Sequence, residues 1–178
     1  MRKVTLYIAV SLDGYIADSA GGVEWIAGHE EGVEAPDTYP GFIKTVDAVI
    51  LGWNTYHQVV TELSPDQWPY PEQTSYVVTH RPLPSTGSIK FLAEDPCEIV
   101  RKLKKAPGRV IWVCGGAGVI HPLIRAGLID EYRISVIPTL LGSGIRLWCE
   151  TDSEIKLELL HTRSLNGIIE LTYTRRSL

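Results

Sequence analysis

Hydrophobic and polar positions alternate between two regimes along the chain. Short apolar runs rich in β-branched residues recur at 3–10 (KVTLYIAV), 47–52 (DAVILG), 74–79 (TSYVVT), 109–114 (RVIWVC) and 131–138 (EYRISVIP), and each reads as a buried strand. Between them lie stretches of helical character: a short helix over about 37–46, one over 55–63 with Asn54 as its cap, and one over 95–105. The last has the clearest start signal, with Asp95 as N-cap, Pro96 at the first helical position and Glu98 three beyond the cap. Its C-terminal half gathers Arg101, Lys102, Lys104 and Lys105, where cations suit the helix dipole. A further helix follows Gly115-Gly116-Ala117-Gly118 and stops at Gly127. Residues 155–163 and 168–175 read as strands joined around Asn166-Gly167, a hairpin signal. Residues 11–35 hold five glycines and no sustained period, and read as a long functional loop. The alternation of β and α, closed by antiparallel strands, predicts one α/β three-layer domain with a mainly parallel sheet and an antiparallel edge.

Length and composition agree with that class. The chain has 178 residues, 44% hydrophobic and 21% charged, enough for a sizeable core without staples. A net charge of −4 argues against a broad nucleic-acid surface, and no apolar run approaches a membrane span. Three cysteines (Cys97, Cys114, Cys149) without a CxxC point to free thiols and a cytoplasmic protein, not a disulfide framework or a zinc knuckle. No metal-ligand spacing is present: the His29-Glu30-Glu31 cluster has no second group to complete a site.

The candidate chemistry sits where strands end. Gly115-Gly116-Ala117-Gly118 joins a strand to a helix, so that either a phosphate meets bare backbone and a helix start, or the glycines simply allow a tight turn. Its spacing is neither the dinucleotide fingerprint nor a P-loop. Gly52-Trp53-Asn54-Thr55-Tyr56 repeats the arrangement, with a plain helix cap as the alternative. Thr79-His80-Arg81 ends a third strand, and Arg81 is either a phosphate ligand or a solvated surface arginine. Three strand ends on one sheet edge change the balance, because ligands of open α/β sheets bind outside that edge. A dinucleotide with an additional phosphate fits this distribution. Asp13, in Ser11-Leu12-Asp13-Gly14, is a turn-former or a proton donor.

The segments SLDGYIA (11–17), DAVILGWNTY (47–56), VVTHRPL (77–83), WVCGGAGVIHPLI (112–124) and LIDEYRISVIPTLLGSGIRLW (128–148) together resemble the dihydrofolate reductase-like superfamily. The resemblance is strongest to bacterial proteins related to the reductase domain of the riboflavin-biosynthesis deaminase/reductase. It implies a mostly parallel sheet of about eight strands with helices on both faces, and NADPH as hydride donor. Carried over, Ala9 and Ile16 are nicotinamide-side contacts, and Gly52, Asn54 and Thr55 form the pyrophosphate turn. Thr79, His80 and Arg81 hold the adenosine ribose phosphate, while Gly115, Gly116, Ala117, Gly118, Val119 and Ile120 form the glycine-rich turn and helix start. Trp53 replaces a common family arginine, which leaves Arg81 as the main cation for the 2′-phosphate. The folate-type carboxylate matches Glu34 or Asp37; Asp37 is the first choice as proton donor, with Asp13 behind it.

The resemblance also implies a small-molecule substrate, a pterin- or pyrimidine-like heterocycle or a ribosyl group, and a homodimer. No counterpart of the folate-tail arginine is visible, which disfavours dihydrofolate itself. The alternative function is an inactive nucleotide- or small-molecule-binding protein of the same fold.

Overall fold

The computed structural model describes residues 1–30 and 38–176. Eight strands form one sheet: β1 (Val4–Ser11), β3 (Val46–Gly52), β4 (Thr74–Val78), β5 (Ile89–Leu92), β6 (Val110–Gly115), β7 (Glu131–Ile137), β9 (Leu157–Leu165) and β10 (Ile168–Arg175). Their spatial order is β5-β4-β3-β6-β1-β7-β10-β9. All neighbouring pairs from β5 to β7 are parallel, whereas β10 runs antiparallel to both β7 and β9. The α/β class with an antiparallel C-terminal edge is therefore as predicted.

Both faces of the sheet are covered, which explains why the central strands read as nearly continuous apolar runs. On β1, Val4, Leu6 and Val10 enter a core cluster with Ile99 and Val100 of α3 (Pro96–Lys105) and Ile120 and Leu123 of α4 (Ala117–Arg125). Tyr7 faces the other way, toward a second cluster of Phe42 from α1 (Tyr39–Ile43), Val49, Tyr70 and Trp112.

Local signals hold where they were strongest. Asp95 Oδ1 accepts from the Cys97 amide at 2.7 Å, Pro96 opens α3, and three lysines close it. Glu98, however, pairs with Arg101. Gly127 follows the end of α4 at φ +62°. Asn166 and Gly167, at φ 52° and 77°, make the left-handed pair that a two-residue hairpin turn requires.

Three expectations change. The presumed loop at 11–35 contains β2 (Tyr15–Ala17), which pairs antiparallel with β8 (Ile145–Arg146), and Asp18 closes a tight turn by accepting from Ala20 and Gly22 at 2.8 Å each. The four-residue strand β5 was not foreseen, being short and isolated after a proline-rich stretch. Asn54 is not a cap: α2 (Trp53–Gln58) starts two residues before the expected Thr55, behind an extended Gly52, and runs into a π-helical turn at Val59–Leu63.

Glu131 is one of the few buried charges. Burial alone would raise its carboxyl, but hydrogen bonds from Lys3 at 2.8 Å and Arg133 at 2.7 Å outweigh that and bring it below its usual 4.5. A carboxyl lowered in the folded state stabilises above its unfolded value, and that stabilisation fades as pH falls through the folded value. The Glu131→Gln variant is expected to lose about 1–3 kcal/mol at neutral pH, and its stability should fall less steeply than wild type in acid. Parallel thermal-midpoint curves for the two proteins would refute this.

Candidate functional site at the carboxyl edge of the sheet

Parallel strands bring their carboxyl ends to one edge, and register fixes who meets there. Gly52 is the partner of Val78, and Leu51 of Gly115, so the loops after β3, β4 and β6 start side by side. The Thr55 hydroxyl accepts from the Gly116 amide at 3.0 Å, tying the second loop to the third. A Cβ on Gly116 would lie 3.3 Å from that hydroxyl, and Gly115 adopts φ +147°, so the turn is shaped by glycine at both positions. Helix α4 begins there without a side-chain cap. The Val119 and Ile120 amides both donate to the Gly116 carbonyl at 3.0 Å, and their side chains are buried. That leaves the first amides, Ala117 and Gly118, with no intrahelical acceptor, and open space lies where a Gly118 side chain would be.

The loop after β4 approaches the same place. Thr79 is buried; its amide donates to the Leu92 carbonyl at 2.8 Å and its hydroxyl accepts from the Arg81 amide at 3.1 Å. The Arg81 guanidinium carbon stands 4.6 Å from the centroid of the Trp53 ring. Trp53, the residue that departs from the common arginine, is thus the platform that holds the remaining cation over the second loop. His80 and Asn54 are exposed beside it. Arg81, Thr55 and Gly116 therefore belong to one connected edge: Arg81 on Trp53, Trp53 two residues before Thr55, and Thr55 on Gly116. Open glycine backbone, an uncapped helix start and an exposed arginine fit a dinucleotide bearing an extra phosphate.

Of the two expected proton donors, only Asp13 lies among the described residues. Asp37, with its neighbour Glu34, lies outside the described residues. The Asp13 carboxylate accepts from the Ser11 hydroxyl at 2.6 Å and from the Gly142 and Leu141 amides at 2.7 and 3.1 Å, clasping the loop after β1 to the one after β7. The Ser11 bond, with the two amides, holds its carboxyl below the usual range. An acceptor so occupied is suited to fixing the loop, not to giving up a proton. Ile16 packs against the α3/α4 core cluster.

Ala9 is half-buried on β1 and pairs with Ser135 of β7, which in turn pairs with Glu170 of β10. Side chains in one register row share a face, so Glu170 belongs to the face of Ala9 and Tyr7. Sequence reasoning missed Glu170. It is only 5% exposed; the Thr38 hydroxyl donates to its Oε1, and the Tyr7 hydroxyl lies 2.7 Å from Thr38 Oγ1. Among the described residues its buried Oε2 has no hydrogen-bond partner. Burial pushes the Tyr7 phenol up to about 12. An aromatic wall stands behind: Tyr7 against Phe42 at 4.9 Å, Tyr39 against Trp112 at 5.9 Å, and Tyr70 against Trp112 at 5.1 Å between centroids. Burial raises the nearby Cys114 thiol to about 11, which makes it a poor nucleophile.

Among the described residues no group of His, Cys, Asp or Glu is placed to hold a metal, and no helix is long and apolar enough to cross a membrane. A cavity of about 280 Å³, lined by Ile124, Tyr132, Trp148, Cys149 and Ile155 among others, lies against the α3/α4 core cluster, away from Tyr7.

Comparison with known proteins agrees with this fold. The family described as the RibD C-terminal domain matches residues 2–169. The uncharacterized protein YwjB of Bacillus subtilis (strain 168) is 40% identical over 175 residues, covering 98% of both chains. A putative riboflavin biosynthesis protein from Shewanella sp. PV-4 superposes with a TM-score of 0.81 at 26% identity, over 98% of this chain and 99% of that one. Dihydrofolate reductase from Enterococcus faecalis, solved in complex with NADP(H), gives 0.66 at 17% identity over 98% and 97%, a likeness of fold alone.

Proposed function

The chain belongs to the RibD C-terminal domain family, whose fold is of the reductase type, and from that premise we propose that it is an NADPH-dependent reductase of a small heterocyclic or ribosyl substrate. The observation that carries this reading is the continuity of the three loop ends: Arg81 over Trp53, and the Thr55 hydroxyl on the Gly116 amide. The NADP(H) complex of the structurally similar dihydrofolate reductase supports the choice of cofactor. NADPH, when bound, supplies the hydride. This chain's residues do the rest. The first amides of α4, with Asn54 and Thr55, receive the pyrophosphate; Thr79, His80 and Arg81 receive the ribose phosphate. Ala9, with no side chain beyond Cβ, lets a flat ring approach β1. Asp13 ties the loop after β1 to the loop after β7.

The test has two arms. Titration of the folded protein with NADPH, followed by nicotinamide fluorescence, should saturate in the micromolar range typical of enzyme substrates; no binding at high micromolar cofactor would remove the proposal. Deuterium from 4-deuterated NADPH should then appear in a reduced pterin-, pyrimidine- or ribosyl-type acceptor. Binding without any transfer would instead identify a nucleotide-binding protein that lacks turnover.

A further inference from the structure

We propose that Tyr7, Thr38 and Glu170 form a proton relay, in which the Tyr7 hydroxyl faces the substrate and Glu170 sets whether that hydroxyl accepts or donates. The inference rests on the reductase reading above and supplies the proton source that Asp13 does not. Tyr7 stands two residues before Ala9 on the same face of β1, and Glu170 lies in Ala9's own register row, so the relay borders the place assigned to the nicotinamide.

The direction of the chain follows from counting protons. A threonine hydroxyl has one proton to give. With Glu170 ionised, Thr38 donates to Glu170 Oε1, so Tyr7 must donate to Thr38. The free lone pair of the Tyr7 oxygen then faces outward as an acceptor. With Oε1 protonated the chain reverses: Glu170 donates to Thr38, Thr38 to Tyr7, and the Tyr7 proton is directed outward.

In the transfer step the Tyr7 O–H bond breaks as a bond from that proton to the substrate nitrogen or oxygen forms. The Thr38 proton passes to Tyr7 and the Glu170 proton to Thr38, leaving a Glu170 carboxylate. The electron pair comes with the hydride of the reduced nicotinamide and goes to the carbon of the same double bond. The raised Tyr7 phenol keeps its proton at neutral pH, as a donor must.

Glu170 is a poor structural residue as it stands. Among the described residues its buried Oε2 has no hydrogen-bond partner and its carboxylate makes no ion pair. A buried carboxylate so placed costs stability. Two cations stand beside it: Arg163 is its register partner on β9, without an ion pair to it among the described residues, and Arg133 is the register partner of Tyr7 on β7. Arg133 on β7 bonds Glu131, and the face of β9 beside β10 carries the exposed Arg163 and His161. Tyr7 on β1 and Thr38 before α1 complete the set.

The test reads the coupling itself, without cofactor or substrate. The full chain is labelled with 13Cζ-tyrosine and 13Cδ-glutamate, and Tyr7→Phe and Glu170→Gln assign the two resonances. Across the pH range over which the protein stays folded, the Tyr7 signal is expected to step together with the Glu170 signal. Thr38→Val should remove at least half of the Tyr7 step while the Glu170 step persists, and Thr38→Ser should restore it. A flat Tyr7 signal, a Glu170 carboxyl that never titrates, or an undiminished Tyr7 step in Thr38→Val overturns the relay. The NADPH titration reports separately on the reductase reading, so the failure of one is distinguishable from the failure of the other.

Discussion

Replacing Arg81 with alanine is expected to weaken NADPH binding by about 10- to 100-fold and NADH binding by less than about threefold. A hydrogen bond to a charged group contributes about 1.5–3 kcal/mol, which corresponds to that range. Only NADPH carries the 2′-phosphate, so only NADPH should register the loss. The guanidinium has no carboxylate partner among the described residues; what holds it is the face of Trp53 at 4.6 Å. It is therefore poised to take an anion without first breaking an ion pair. Arg81→Lys should fall between, since lysine keeps the charge but loses the planar fork and the ring stack. Because Arg81 is exposed, NADPH binding should weaken more than NADH binding as salt rises. Equal losses for the two cofactors in fluorescence titrations would separate Arg81 from the ribose phosphate.

Trp112→Ala is expected to destabilise the protein by about 3–5 kcal/mol, the usual range for emptying a buried tryptophan site. Trp112 is 6% exposed and touches the rings of Tyr39, Phe42 and Tyr70, with centroids at 5.9, 5.7 and 5.1 Å. Its Nε1 also donates to the Tyr7 carbonyl at 3.1 Å. Removing it leaves a cavity between β6 and α1 and an unanswered acceptor on the strand that carries Tyr7. Each kcal/mol shifts the midpoint of a chain this size by about 2–4 °C, so a fall of roughly 10 °C should be seen by calorimetry or circular dichroism. Trp112→Phe retains a ring but not the donor and should cost about 1–2 kcal/mol. A loss below about 1 kcal/mol for the alanine variant would mean that the aromatic cluster repacks, and that the Tyr7 side of the site does not depend on it.

The two sides of the site differ in how far they could be read in advance. Gly52, Thr55, Arg81 and the Gly115–Gly118 run follow strands of obvious pattern, and parallel strands must deliver their ends to one edge. Listing those residues was therefore already close to placing them. Trp53 is different. In the linear order it is a missing arginine; in space it lies under Arg81, a relation between loops 28 residues apart. Asp13 kept two readings because Asp-Gly is compatible with either role, and its partners at 141 and 142 are remote in the chain.

Glu170 was hidden by its own strand. Ile169, Leu171 and Tyr173 mark one face of β10 as apolar, and Glu170, Thr172 and Thr174 read as the wet side. Alternation tells which face a residue takes, but not what covers that face. Here Thr38 and Tyr7 close over the carboxyl, while Ile169 on the apolar-reading face is the exposed one.

Caps, turns and periodicity depend on neighbours within a few residues, and from these the strands, the Asp95 cap, the Asn166-Gly167 turn and the α/β class followed from the chain alone. The order of the strands, the clasp made by Asp13, the stack under Arg81 and the burial of Glu170 arise from contacts between distant segments. No local energy specifies these; they emerge only when the sheet assembles and its layers pack against it.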